Sequence, residues 1–239
     1  MGEGDCGNGK VIIVREFNCG DSLEVQRIFR EGMMEMIPDT AFRGLCHHPE
    51  SQLLYGLLCF LCFLTTRSLM ITCCMPALIL CARYYCSKRV VHECMEHALS
   101  SDMGDIDKHY MKSPDTRFWV AVLGEHVVGM VAAHIHRGGG IELLRMSVDQ
   151  RYRRRGIAMV LGRRVLQFAR QRAHFMSASC VVLGTTSYTP AAHQLYRSLG
   201  FRCVGVTEGY SMTGTGRSLL QRAFYRVRHH HYQLDINTN

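Results

Sequence analysis

Residues 53–82, LLYGLLCFLCFLTTRSLMITCCMPALILCA, contain one charge, Arg67. Such a run restricts the whole chain, because it has to be buried in protein or placed in lipid. Arg67 divides it into two nearly equal arms. At the helical rise each arm reaches about 21 Å, short of a bilayer core of about 30 Å. One tilted helix built from both arms would cross, but would hold Arg67 near the centre at a cost of roughly 3 kcal/mol. A hairpin turning near Thr66, Arg67 and Ser68 is the other geometry, and its turn needs shelter from lipid. Two buried core helices are the soluble alternative, which a domain of this size rarely supports. Arg83, Lys88 and Arg89 follow directly, as at a cytosolic membrane boundary. Membrane attachment is the expectation.

The 239 residues suffice for one domain with its own core, and 47% hydrophobic against 20% charged residues excludes a disordered chain. A net charge of +8 suits RNA, an anionic membrane or an anionic cofactor without choosing among them. Of the 12 cysteines, half fall between Cys59 and Cys86; the C-x-x-C of Cys59 and Cys62 has no second C-x-x-C to complete a metal-ligand set. They read as small hydrophobes in a reducing compartment, not as a disulfide or metal framework. The opening MGEGDCGNGK has no apolar segment, so no signal peptide is expected there, and Cys6 argues against myristoylation.

Residues 10–17, KVIIVREF, read as a strand. Asp21-Ser22 then opens an amphipathic helix with Leu23, Val25, Ile28, Phe29 and Met33 near one face, ended by Pro38. Residues 87–100 give a second helix. RFWVAVLG (117–124), HVVGMVAAHI (126–135) and IELLRMSV (141–148) are strands, the first two meeting at Gly124-Glu125. Ile157, Val160, Leu161, Val165, Phe168 and Ala169 recur at helical spacing over 156–173. CVVLG (180–184) suits a central strand, and Pro190 opens a helix to 199. FRCVGV and SLLQRAFYRV (218–227) supply closing strands. The tail HHHYQLDINTN is expected to fray, with His229, His230 and His231 solvated.

RYRRRGIA (151–158) sits between a strand and a helix. A bare arginine run is more often solvated surface, but here the charges stand at the junction where an anion docks. Gly156 allows a close turn, and the free amides from Arg154 to Ala158 point out of the helix N-terminus, where the dipole also favours an anion. There is no P-loop and no G-x-G-x-x-G, so the pattern is pyrophosphate-binding chemistry of another kind.

Arg153-Arg154-Arg155-Gly156-Ile157-Ala158 resembles the Q/R-x-x-G-x-G/A motif of the GNAT superfamily of N-acetyltransferases. Residues 191–201, A-A-H-Q-L-Y-R-S-L-G-F, resemble its A-x-x-L-Y-x-x-x-G-F element. The asparagine common seven residues before that tyrosine is Thr189 here. Within the superfamily the chain is most similar to the camello-like, or cysteine-conjugate, N-acetyltransferases. D-M-G-D-I (102–106), F-W-V-A (118–121), V-V-G-M-V (127–131), S-V-D (147–149) and V-L-Q-F-A-R (165–170) carry that likeness, which covers residues 10–37 and 87–226.

The resemblance implies an α+β fold, a mixed central sheet flanked by helices, with an apolar helical membrane insert between the first two helices. It implies residues 1–52 as the first strand and helix, 53–86 as a membrane-associated hairpin, 87–226 as the catalytic core and 227–239 as a flexible tail. If strand 10–17 joins the sheet of 117–148, both sides of the insert lie on one face of the bilayer, which favours the hairpin. The implied place is the endoplasmic reticulum membrane with the catalytic domain in the cytosol. Acetyl-CoA is the implied cosubstrate, with no metal, and the acceptor is a cysteine S-conjugate, aspartate or a protein lysine. Its implied cofactor-binding residues are Met146, Ser147, Val148, Arg153, Arg154, Arg155, Gly156, Ile157, Ala158, Thr189 and Tyr196.

Direct transfer needs a proton acceptor for the ammonium, an oxyanion contact and a proton donor for the leaving sulfur. Tyr196, in the motif's tyrosine position, is the acid. Glu142 is the base, on a period-two strand that would give it the face of Leu144, Met146 and Val148. His134 and His136 are the reserve pair, and the oxyanion contact falls to a backbone amide near Met146. Cys180 and Cys203 lack a His–Asp arrangement and read as buried strand residues. Acceptor recognition is expected in loops 136–140 and 206–217, with Arg137 and Arg217 as carboxylate readers. A nucleic-acid partner is not expected, because the arginines flank an apolar-faced helix without an aromatic ladder. A membrane scaffold that binds acetyl-CoA without turnover is the alternative.

Overall fold

The computed structural model describes residues 3–4, 11–46, 49–135, 140–173, 180–208 and 227–236. Its strands form one mixed sheet in the order β1 (Glu3–Gly4), β2 (Ile12–Glu16), β3 (Thr116–Leu123), β4 (His126–Ile135), β5 (Gly140–Val148), β6 (Cys180–Thr186), β8 (Arg228–Asp235) and β7 (Arg202–Glu208). All neighbours are antiparallel except β5 and β6. A parallel pair needs a crossover, and α5 (Ile157–Ala173) supplies it. On one face Ile157, Leu161, Val165 and Ala169 of α5 pack with Tyr196 of α6 (Pro190–Ser198) against Ile141, Leu143, Val181 and Leu183. On the other, Val25, Ile28 and Phe29 of α1 (Ser22–Pro38) meet Phe118, Val120 and Met130. This is the expected α+β sheet flanked by helices.

Leu23 is a correction to the expected apolar face, since it is 82% exposed. At about 100° per residue it falls on the side of α1 opposite Val25 and Ile28. Pro38 closes α1 but not the helical path, which widens into a π turn at Asp39–Arg43 and a short α2 (Gly44–Cys46). Proline lacks the N–H for the next rung, and the looser i→i+5 turn accommodates that gap.

The apolar run is not an insert set between the first two helices. Its first arm is α3 (Pro49–Thr66), and its second begins α4 (Leu69–Ser100), which continues unbroken through the helix expected at 87–100. Nothing around Arg83 to Arg89 breaks a helix, so the apolar arm and the helix expected at 87–100 are one rod. Arg67, with φ 48°, and Ser68 join α3 to α4. α4 is long and apolar enough to cross a membrane, by length and composition. Leu57, Phe60, Leu64, Met70, Ile71 and Leu78 point outward from the pair.

The frayed tail is the third correction. Residues 228–235 form β8, lying between β6 and β7 and paired with both. Tyr232 is 1% exposed and packs with Tyr196 in the core. The expected strand at 218–226 and the candidates His136, Arg137 and Arg217 lie outside the described residues.

Candidate active site

β5 and β6 pair only from Gly140–Cys180 to Glu142–Val182, although β5 runs on to Val148 and β6 to Thr186. Past Glu142 the two strands separate and leave a cleft in the middle of the sheet. Glu142 is the last paired residue, at the base of that cleft. Its antiparallel partner on β4 is His134.

A bulge then changes which residues face which way. Leu144 pairs with Ala132 and Ser147 with Met130, so β5 carries one residue more than β4, and Arg145 has φ 52°. Glu142 and Leu144 lie on the α1 side, whereas Met146 and Val148 pack on the α5 side. The common face expected for Glu142, Met146 and Val148 is therefore corrected, because period two fails at a bulge. Arg145 is fixed by a bidentate pair to Asp102, 2.8 Å at both contacts, and lies over the Phe29 ring. Tyr110 donates to the same carboxylate. Burial works to raise the Asp102 pKa, but the hydrogen bonds from Arg145 and Tyr110 outweigh it and hold the carboxyl below its ordinary range. The network pins the left-handed residue from the side, and only the D-M-G-D-I phrase hinted at it.

β8 brings further groups to the Glu142 side. His229 and His231 share this face with Val182 and Gly184, while His230 and Tyr232 take the other. The His229 ring lies against Gly184, where a Cβ would have no room. Burial first, then the neighbouring His231 and His230, push the His229 pKa down to about 4, with Glu142 opposing. His229 is thus neutral at physiological pH. A triplet of histidines gave no sign of this in sequence; the alternation of Arg228, His230 and Tyr232 with His229 and His231 was the available signal.

The stretch expected to bind phosphate is a built turn. Asp149, with its side chain 1% exposed, accepts from the Arg151 amide at 3.0 Å, the Arg151 guanidinium at 2.7 Å and Arg27 of α1 at 2.8 Å. Arg151 chiefly, and Arg27, hold its carboxyl well below the usual range. Arg153 donates to the Val148 carbonyl at 3.0 Å and to Glu35 at 2.6 Å, so its side chain fastens the loop to α1. Arg155 lies over the Tyr152 ring. The left-handed positions are Arg154 (φ 62°) and Gly156 (φ 79°), and α5 starts at Ile157. Arg153 through Ala158 keep the Q/R-x-x-G-x-G/A spacing, with Gly156 in the left-handed conformation and Ala158 in the first helical turn of α5. The amides of Ile157 and Ala158 have no carbonyl a turn earlier within the helix to pair with. Because a non-glycine residue is strained in this region, Arg154→Gly is expected to raise stability by about 1 kcal/mol, seen as a higher denaturation midpoint at unchanged m.

Tyr196 is buried on α6 between Phe201 and Tyr232. Burial pushes its pKa up to about 12. Thr189 caps α6 but turns its hydroxyl back to the Thr186 carbonyl at 3.1 Å and to Thr185 at 3.2 Å. Cys203 is exposed instead of buried and lies 3.6 Å from His230 Nδ1; Cys180 is half-buried at the parallel junction.

The acetyltransferase (GNAT) family profile matches residues 88–201. The human N-acetylaspartate synthetase is 51% identical over 229 residues, covering 95% of this chain and 74% of that protein. The frog Xenopus tropicalis N-acetylaspartate synthetase is 47% identical, over 94% of this chain and 82% of that protein. Mouse N-acetyltransferase 8 is 36% identical, over 80% and 85%. A crystal structure of a GNAT-family acetyltransferase from Staphylococcus aureus superposes with a TM-score of 0.53 at 14% identity, covering 95% of this chain and 99% of that one.

Proposed function

The chain belongs to the acetyltransferase (GNAT) family, and from that premise we propose that it acetylates the α-amine of aspartate at a membrane surface. It is an acetyl-CoA-dependent N-acetyltransferase that acts on an amine. The observation that carries aspartate as acceptor is the 51% identity, over 95% of this chain, to a protein named for making N-acetylaspartate.

In this reading acetyl-CoA enters the opening between β5 and β6. Its pyrophosphate meets the amides from Arg154 to Ala158, and its pantetheine arm follows the β5 backbone at Met146, Ser147 and Val148. Arg153 serves the site by holding the turn to α1. Thr189 borders the cofactor without offering its hydroxyl, which is spent on Thr186. The acceptor approaches from the opposite side of the sheet, where Glu142, His134 and His229 converge. Glu142 takes the ammonium proton; the freed amine adds to the thioester carbonyl; a β5 amide near Met146 holds the oxyanion; the thiolate departs toward Tyr196.

The division of the chain follows from the same account: residues 1–52 and 87–235, β8 included, make the catalytic unit, and the apolar arms over 53–82 make the attachment. We place the α3–α4 hairpin in the endoplasmic reticulum membrane with the catalytic unit in the cytosol. Support comes from the outward leucines and phenylalanines of both helices, and from β2 and β3, which flank the hairpin in sequence yet pair in one sheet.

Detergent-solubilised protein with labelled acetyl-CoA, offered aspartate, glutamate, a cysteine S-conjugate and a lysine peptide, tests the acceptor. Aspartate is expected to be labelled at a kcat/KM at least tenfold above the others. Preferential labelling of the S-conjugate or the peptide would overturn the reading.

A further inference from the structure

Arg83 is an anomaly in the charge map. It is 1% exposed, yet among the described residues no carboxylate lies within ion-pairing distance of it. Its Nε donates to the Ala41 carbonyl at 2.8 Å, Nη1 to the Tyr55 hydroxyl at 2.9 Å, and Nη2 to the Thr40 carbonyl at a long 3.5 Å. A guanidinium has five N–H donors, so part of its capacity is unspent, and every partner is neutral. By contrast the part-buried Arg145 has a bidentate carboxylate and the part-buried Arg27 pairs with Asp149. A buried cation without an anion is costly and finds its balance in a bound one.

Its position gives the anion an identity. Arg83 stands on α4 where the apolar arm passes into the catalytic domain, wrapped by the π turn after α1. The Arg83 Nη2 and the Tyr188 hydroxyl crowd the same space beside Gly44, where an added Cβ would come within 3.3 and 3.4 Å of them. Tyr188 is 2% exposed and lies on the loop that leaves β6, the strand forming one wall of the cleft. We propose that Arg83, with Tyr188 beside it, is the ligand for the side-chain carboxylate of the acceptor and the residue that selects an acidic amino acid. The proposal rests on the aspartate reading. An α-carboxylate is common to all amino acids, so selection requires a second anion site, and a desolvated guanidinium discriminates strongly against a neutral isostere.

The test is steady-state kinetics on the full chain in detergent, comparing aspartate with asparagine. In wild type, aspartate is expected to be preferred by at least about 100-fold. Arg83→Gln is expected to lower kcat/KM for aspartate about 100-fold, through KM, with the value for asparagine and the KM for acetyl-CoA little changed. Arg83→Lys, which keeps the charge and stem, is expected to lose about tenfold on aspartate alone. It also decides the matter if the glutamine variant fails to fold, as judged by loss of acetyl-CoA binding. A variant that keeps the wild-type aspartate-over-asparagine ratio, or loses both acceptors equally, overturns the proposal and leaves the aspartate reading intact. Wild-type protein that does not acetylate aspartate overturns both, before any variant is made.

Discussion

Glu142→Gln is expected to lower kcat for aspartate by about 10²- to 10⁴-fold with KM for acetyl-CoA unchanged. Glutamine keeps the size and the strand register of the glutamate at the base of the cleft but cannot accept a proton. The measurement that separates a base from a loop-edge charge is the pH profile. In the variant the acceptor's ammonium has to lose its proton to solvent, so kcat/KM is expected to climb with pH over the range where the wild type is flat. A variant with wild-type kcat and an unchanged pH profile would remove Glu142 from the mechanism. His229, held neutral on the same face, would be the next group to replace.

Tyr196→Phe is the second large effect, a fall of about 10²-fold in kcat with little change in stability. The buried phenol, with its pKa pushed up to about 12, carries its proton at every physiological pH. A thiol titrates near 8.5, so complete transfer from this phenol to the leaving thiolate runs uphill. In the proposed reaction Tyr196 would supply a hydrogen bond that strengthens as charge gathers on sulfur, a contribution of the size seen when one donor is removed from a developing anion. Its ring keeps its contacts with Phe201 and Tyr232 in the phenylalanine variant, which is why stability is spared. Unchanged turnover would leave Tyr196 as packing alone.

The sheet and its helices were legible because long stretches such as HVVGMVAAHI and residues 156–173 repeat at one period. What escaped was decided by contacts from far along the chain. The reversal of face between Leu144 and Met146 depends on a left-handed Arg145 held by Asp102, forty-three residues away. The three histidines look solvated until β6 and β7 claim their backbones from both sides. Arg83 looked like a membrane-edge charge because its burial is produced by Ala41, Tyr55 and Gly44, none of them a sequence neighbour. The tight turn was readable as a glycine at a strand–helix junction. The left-handed conformation of Arg154 was not, because nothing within an arginine run marks one position for it.

Initial velocities measured while acetyl-CoA and aspartate are varied together test the central claim, direct transfer within the cleft. Attack by the amine on bound acetyl-CoA requires both substrates on the protein at once, and double-reciprocal lines that intersect are predicted. Parallel lines would mean that the acetyl group rests on the protein before aspartate arrives, and would contradict the account.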